Sequence, residues 1–215
     1  MSAAIDYDSH PLPPQRTSAP RSSDHLRDPR WCRFRRLVVP GWNNSGPTHW
    51  QSRWQDLAPD LVRVEQEDWV RPDPGSWIAN LDAAISASPQ PVVVIAHSLG
   101  CIALAHWVRE TGGRGVAAAL LVAPADVSRP GGNPALLGFA PVPLDYLPFA
   151  SRVVASDDDP CCSVSRATEF AARWGSDLVV IPQGGHLNAA SRLDDWPLGQ
   201  LLLHDLVWRQ RLQPA

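Results

Sequence analysis

A serine, a run of aspartates and a histidine follow one another along this chain, each just beyond a short apolar run: Ser98, then Asp157-Asp158-Asp159, then His186. These residue types together can carry out nucleophilic acyl transfer. A serine hydroxyl is a poor nucleophile near neutral pH. An imidazole, with an unperturbed pKa of about 6.5, takes its proton during attack and returns it to the leaving group. A carboxylate behind the imidazole fixes the tautomer and stabilises the imidazolium. The setting of the serine is the most informative. Ala96-His97-Ser98-Leu99-Gly100 follows the apolar run Pro91-Val92-Val93-Val94-Ile95 and opens a helix-like stretch, Cys101 to Arg109. A strand, a tight turn tipped by serine and a helix form a nucleophile elbow, here with Ala96 where the usual pattern has glycine. The small residues Ala96 and Gly100 let strand and helix approach closely.

The same residues admit plainer readings. Ser98 in such a turn is also a helix cap, His186 in Gly184-Gly185-His186 is also a surface histidine, and the three aspartates are also a solvated acidic loop. The choice among the aspartates stays open on spacing alone. No second carboxylate-rich loop offers ligands, so no metal is expected. Acyl transfer further needs donors for the developing oxyanion. The backbone N–H of Leu99, at a helix start, is one candidate. The other is the backbone N–H of Trp42, in the loop Pro40-Gly41-Trp42-Asn43-Asn44, with Asn43 next. His49 lies just beyond that loop and either lines the pocket or braces it. The side chain of His97 should point elsewhere than that of Ser98, and His106 and His204 fall on helical stretches as structural residues.

These groups need elements to position them, and the pattern supplies strands and helices in alternation. Apolar runs at Phe34–Val39, Leu61–Gln66, Val92–Ala96, Val116–Val122, Arg152–Ala155 and Leu178–Ile181 read as strands. Thr48–Leu57, Ser76–Ala87, Leu99–Arg109, Ser163–Trp174 and Leu198–Arg209 read as helices. Buried apolar strands alternating with helices predict a doubly wound, mostly parallel sheet of about six strands with helices on both faces. In such a sheet active groups gather at the carboxyl ends of the strands, where Ser98, the aspartates and His186 all fall. The Pro- and Gly-rich stretch from Pro124 to Pro148, with Leu136, Leu137, Phe139, Leu144, Tyr146 and Phe149, is expected to form a short apolar wall over the site.

A chain of 215 residues with 44% hydrophobic content and a net charge of −3 is enough for one domain with a sizeable core. Nothing in that balance points to nucleic acid or a membrane surface. No apolar stretch reaches the ~20 residues of a membrane span, and the N-terminus lacks the apolar core of a signal peptide. Residues 1–33, rich in Pro, Ser, Arg and Asp, are expected to be a disordered extension, with the domain at 34–215. Cys32, Cys101, Cys161 and Cys162 show no metal-ligand spacing and no disulfide framework, so they read as reduced thiols of a cytoplasmic protein. Trp50, Trp54, Trp77 and Trp107, four of ten tryptophans, sit in helix-like segments and read as core.

The order Ser, Asp, His is that of the α/β-hydrolases. Beyond it, Val39-Pro40-Gly41-Trp42, Ser45-Gly46-Pro47, His49-Trp50-Gln51, the elbow, Asp159-Pro160, Gly185-His186-Leu187-Asn188 and Trp196-Pro197-Leu198-Gly199 occur in matching sequence. Over about residues 35–210 these segments resemble the YdeN-like serine hydrolases, small bacterial α/β-hydrolases related to the retinoblastoma-binding serine hydrolase of animals. The resemblance implies Ser98 as nucleophile, His186 as base, and Asp159, the aspartate directly before proline, as the acid. It also implies a minimal α/β-hydrolase sheet without a large cap domain. The expected activity is cleavage of a small carboxylic ester, with thioester and amide hydrolysis open to the same groups and no cofactor required. The rival from another class is a binding protein that keeps the fold and lacks turnover. A cofactor-free oxygenase or haloperoxidase reaction on the same three residues is a further alternative.

Overall fold

The computed structural model describes residues 25–209. Six strands, β1 (Arg35–Val39), β2 (Leu61–Arg63), β3 (Val92–His97), β4 (Val116–Val122), β5 (Ala150–Ser156) and β6 (Asp177–Ile181), form one sheet in the order β2-β1-β3-β4-β5-β6. Every pair is parallel. Five helices connect them: α1 (Trp50–Leu57), α2 (Pro74–Ser86), α3 (Leu99–Thr111), α4 (Val164–Trp174) and α5 (Pro197–Arg209). The element ends fall within three residues of those read from the sequence. This is the minimal α/β-hydrolase sheet.

Alternation along the central strands builds two cores. Val92, Val94 and Ala96 of β3 face one layer with Trp77 and Leu81 of α2, Leu104 of α3 and Phe170 of α4. Val93 and Ile95 face the other with Trp50 and Trp54 of α1 and Leu203 and Leu206 of α5. Burial on both faces explains why the strand is apolar throughout rather than alternating. The chain runs outward from β1 to β2, then returns past β1 to β3. The loops leaving β1 and β3 therefore diverge, and the crevice between them is where ligands bind in open α/β sheets.

The expected extension is divided. Residues 1–24 lie outside the described residues. Residues 25–33 form two 3-10 helices, His25–Arg27 and Pro29–Arg33, that pack on the domain. Leu26 and Trp31 are buried in the core beside α5. The Arg36 guanidinium donates to the Leu26 carbonyl at 2.9 Å and stands 4.9 Å from the Trp31 ring. Residues 25–33 therefore pack as part of the described fold. Among the described residues no helix is long and apolar enough to cross a membrane.

Candidate active site

The elbow follows from local geometry. Ser98 sits between β3 and α3 with φ 53° and ψ −118°, a strained conformation outside the regions open to ordinary residues. Its side chain makes no capping bond to α3. Two glycines permit the bend. A Cβ at Gly41 would stand 2.8 Å from Ser98 Cβ. One at Gly100 would stand 2.7 Å from the Pro40 carbonyl oxygen and closer still to that of Val39. Since neither carbonyl can yield, Gly100→Ala is expected to cost about 3 kcal/mol, the upper end of ordinary overpacking. That corresponds to a Tm lowered by roughly 6–12 °C in thermal unfolding. An unchanged Tm would show that the elbow does not need this close approach.

The structure brings Ser98, His186 and Asp159 into one hydrogen-bonded chain. Ser98 Oγ lies 2.8 Å from His186 Nε2, and His186 Nδ1 lies 2.9 Å from both Asp159 carboxylate oxygens. Asp159 Oδ1 also accepts the Cys161 backbone N–H at 2.7 Å. The Asp159 side chain is 2% exposed and that of His186 13%. Burial disfavours the imidazolium, but Asp159, through its hydrogen bond and negative charge, with Cys161 beside it, outweighs burial, and the His186 pKa is pushed up to about 9.

The other two aspartates hold the loop that carries His186. Asp157 accepts the Gln183 N–H at 2.7 Å. Asp158 accepts both the Ser156 hydroxyl and the Gly185 N–H at 2.7 Å. The Ser156 hydroxyl in turn accepts the Gly184 N–H at 2.8 Å. Three successive carboxylates thus fix residues 183, 185 and 186. From the opposite side the Trp50 indole N–H donates to the Leu187 carbonyl at 2.9 Å, and the Trp54 indole to that of Asp195 at 2.8 Å. The tryptophans of α1 are therefore core residues that also anchor this loop.

His97 points away from Ser98, as expected, but toward the same loop: its Nε2 lies 3.0 Å from the His186 carbonyl oxygen. Burial, with His49 and His186 close by, holds its pKa well below the usual range, so it is a neutral ring donating to that carbonyl. Sequence reasoning missed this bracing. It also missed Gln51, fully buried, whose amide donates to the Ile95 carbonyl at 3.0 Å and the Val39 carbonyl at 3.3 Å. Gln51 Oε1 accepts the Ser45 hydroxyl at 2.6 Å. Gln51 ties the ends of β1 and β3 to the loop between β1 and α1. The one available signal was its place directly after His49-Trp50.

In that loop the Asn43 N–H is used by the Trp69 carbonyl at 2.9 Å and the Asn44 N–H by the Gly41 carbonyl at 3.1 Å. Among the described residues the Trp42 N–H has no such partner, and the Leu99 N–H opens α3, where intrahelical partners are missing. The Trp42 indole turns outward to the Val70 carbonyl at 2.8 Å. His49 caps α1, its Nδ1 accepting the Gln51 N–H at 3.2 Å. Burial, then the charges of Arg63 and His186, lowers its pKa to about 4, so its single proton sits on Nε2. That buried Nε2–H has no hydrogen-bond partner among the described residues.

A cavity of about 480 Å³ opens over these groups, lined by Ser98, His186, Trp42, Asn43 and His49. The apolar wall expected from Pro124 to Pro148 is smaller than read. Leu136 lines the cavity with Ala125 and Val127. Phe139 is buried against Trp77 instead, and Leu137 and Tyr146 face solvent. The local run is too short for periodicity to separate these fates. All four cysteines are free thiols. Folding also does what sequence spacing concealed: ligand atoms of Cys161, Asp159 and His186 lie within 4.8 Å of one another.

The comparisons with known proteins place this fold among the hydrolases. The chain belongs to the serine hydrolase family, whose model matches residues 36–205. It is similar to the crystal structure of a YdeN-like hydrolase from Pectobacterium atrosepticum, with 30% identity and a TM-score of 0.79 over 90% of this chain and 100% of that one. The ydeN gene product from B. subtilis shares the fold at 17% identity and a TM-score of 0.63, over 80% of this chain and 98% of that one. So does the Butyrivibrio proteoclasticus protein Est1E, whose structure holds ferulic acid, at 11% identity and a TM-score of 0.64, over 83% and 89%. No curated protein sequence matches the chain.

Proposed function

We propose that this serine hydrolase cleaves small carboxylic esters through an acyl-enzyme, with Ser98 as nucleophile, His186 as general base and acid, and Asp159 as the orienting carboxylate. The observation that carries this reading is the unbroken chain Ser98 Oγ–His186 Nε2 and His186 Nδ1–Asp159 at 2.8 and 2.9 Å. His186 Nε2 accepts the Ser98 proton as Oγ attacks the ester carbonyl. Asp159 stabilises the imidazolium. The N–H groups of Leu99 and Trp42 receive the oxyanion, a contribution of about 3 kcal/mol for each donor of this kind. His186 then protonates the leaving alcohol, and water repeats the sequence in reverse to free the acid.

His49 and Asn43 are the proposed substrate-binding residues. Both line the cavity, and the wall of Ala125, Val127 and Leu136 suits a short acyl or aromatic group. A series of p-nitrophenyl esters of rising acyl length tests this, beside thioester and amide counterparts. Turnover of the short esters, falling as the chain outgrows the cavity, is expected. Absence of turnover across the series would overturn the ester reading.

The pH profile of kcat/KM follows from the raised His186 pKa. A base must be neutral to act, and a pKa pushed up to about 9 leaves His186 mostly protonated at neutral pH. Activity should therefore climb about tenfold per pH unit below that value and level off above it. A plateau already reached at pH 7 would contradict the charge environment described for His186.

A further inference from the structure

We propose that Asp159, Cys161 and His186 form a binding site for a thiophilic divalent cation, with zinc as the type, that switches the enzyme off. The proposal rests on the catalytic reading of His186 given above. Its own basis is the donor set: a thiol sulfur, an imidazole nitrogen and a carboxylate oxygen, all within 4.8 Å of one another. Zinc takes this combination, with three protein ligands and one open position. Bonds of about 2.0–2.3 Å set neighbouring ligand atoms roughly 3.3–3.7 Å apart. The Nδ1–Asp159 pair, now at 2.9 Å, must open by about 0.4 Å to admit the ion, and a pair at the 4.8 Å limit must close by about 1.1–1.5 Å. Access exists, because Cys161 and His186 both line the cavity. Cys162 is buried and is not part of the group.

The cation acts through the tautomer of one ring. In the neutral ring that acts as base, the Nδ1 proton faces Asp159 and the Nε2 lone pair faces the Ser98 hydroxyl. An ion bound at Nδ1 takes the place of that proton. A neutral imidazole then carries its single proton on Nε2, where it donates to Ser98 Oγ and has no lone pair left to accept one. The Cys161 thiol proton passes to water; the Nδ1 proton moves to Nε2 in the neutral ring, or passes to water from the imidazolium, whose Nε2 already holds a proton; nothing is oxidised or reduced. Loss of the ion to a chelator restores the original tautomer.

The experiment is zinc binding by equilibrium dialysis on the full chain, with cobalt substituted in parallel to read the thiolate-to-metal absorption band, and turnover measured at each zinc concentration. One zinc per chain is expected, with a cobalt–thiolate band and loss of turnover that EDTA reverses. Cys161→Ala should weaken binding by more than about 100-fold, abolish the band and remove zinc sensitivity relative to its own metal-free rate. Cys161→Ser serves the same purpose should the alanine variant fold poorly, and Cys162→Ala should bind zinc as the wild type does. Ser98→Ala should also bind one zinc, since Ser98 is no ligand, which separates the metal site from the hydrolase reading. Equal zinc affinity in wild type and Cys161→Ala, or no stoichiometric binding by wild type, would overturn the site. Binding without loss of turnover would overturn the switch. Failure of the hydrolase reading alone would appear as metal-free wild type that binds zinc yet turns over nothing.

Discussion

Ser98→Ala is expected to fold like the wild type and to lose of order 10⁴-fold or more in kcat. The size of the loss follows from the role. In the proposed mechanism the hydroxyl forms the acyl bond, and removing a nucleophile from an acyl-transfer site leaves only the binding and oxyanion contributions. The fold should tolerate the change because alanine fits the same backbone bend as serine. The sheet and both cores do not involve the hydroxyl, whose partner is His186 Nε2. Losing that bond should cost about 1 kcal/mol, a few degrees in Tm. Circular dichroism and thermal unfolding check the fold, and steady-state turnover of a short ester checks the chemistry. A folded variant within tenfold of wild-type kcat would remove Ser98 from the mechanism.

Asp159→Asn tests the other end of the chain. The side chain keeps its shape and can still accept the Cys161 N–H, which now bonds to Asp159 Oδ1. Its amide NH₂ then faces His186 Nδ1. That nitrogen must accept rather than donate, so the ring proton moves to Nε2 and the base can no longer take the Ser98 proton. A loss of about 10⁴ in kcat is expected, the magnitude known for this change in the best-studied serine protease triad. The pH profile should change as well. Without the carboxylate, burial is left to act on the imidazolium, and the rise in residual activity should move to lower pH than the value of about 9 that Asp159 helps to set. Losses of similar size in Asp157→Asn or Asp158→Asn, beyond a tenfold effect on loop positioning, would put the choice of Asp159 in question.

Much of the architecture was legible because burial on both faces of a parallel sheet leaves an unmistakable sequence. Val92 to Ala96 and Val116 to Val122 are apolar throughout and lie where the pattern put them. The elbow was legible for a related reason: a strand, a serine and a close-approach glycine are contiguous. Asp159 was not separable from Asp157 and Asp158 by spacing. The three carboxylates differ only in which part of a loop some 26–27 residues downstream they meet, and the family resemblance made the distinction. His97 and Gln51 act through carbonyl groups that are neighbours only once β1, β3 and the His186 loop are assembled. The packing of residues 25–33 was hidden because 3-10 turns carry no amphipathic period. Leu26 and Trp31 find their core only against α5 and Arg36. Cys161 showed no metal-ligand spacing in the sequence, because its neighbours Asp159 and His186 come together only in the fold.

The most direct test of Ser98 as an activated nucleophile is covalent labelling of metal-free protein by a fluorophosphonate, with the modified peptide mapped by mass spectrometry in wild type and Ser98→Ala. Modification confined to Ser98, fast in wild type and absent from the variant, is the expected result. Well-folded wild-type protein that takes up no label, or that takes it up at another residue and equally in Ser98→Ala, would contradict the proposed mechanism.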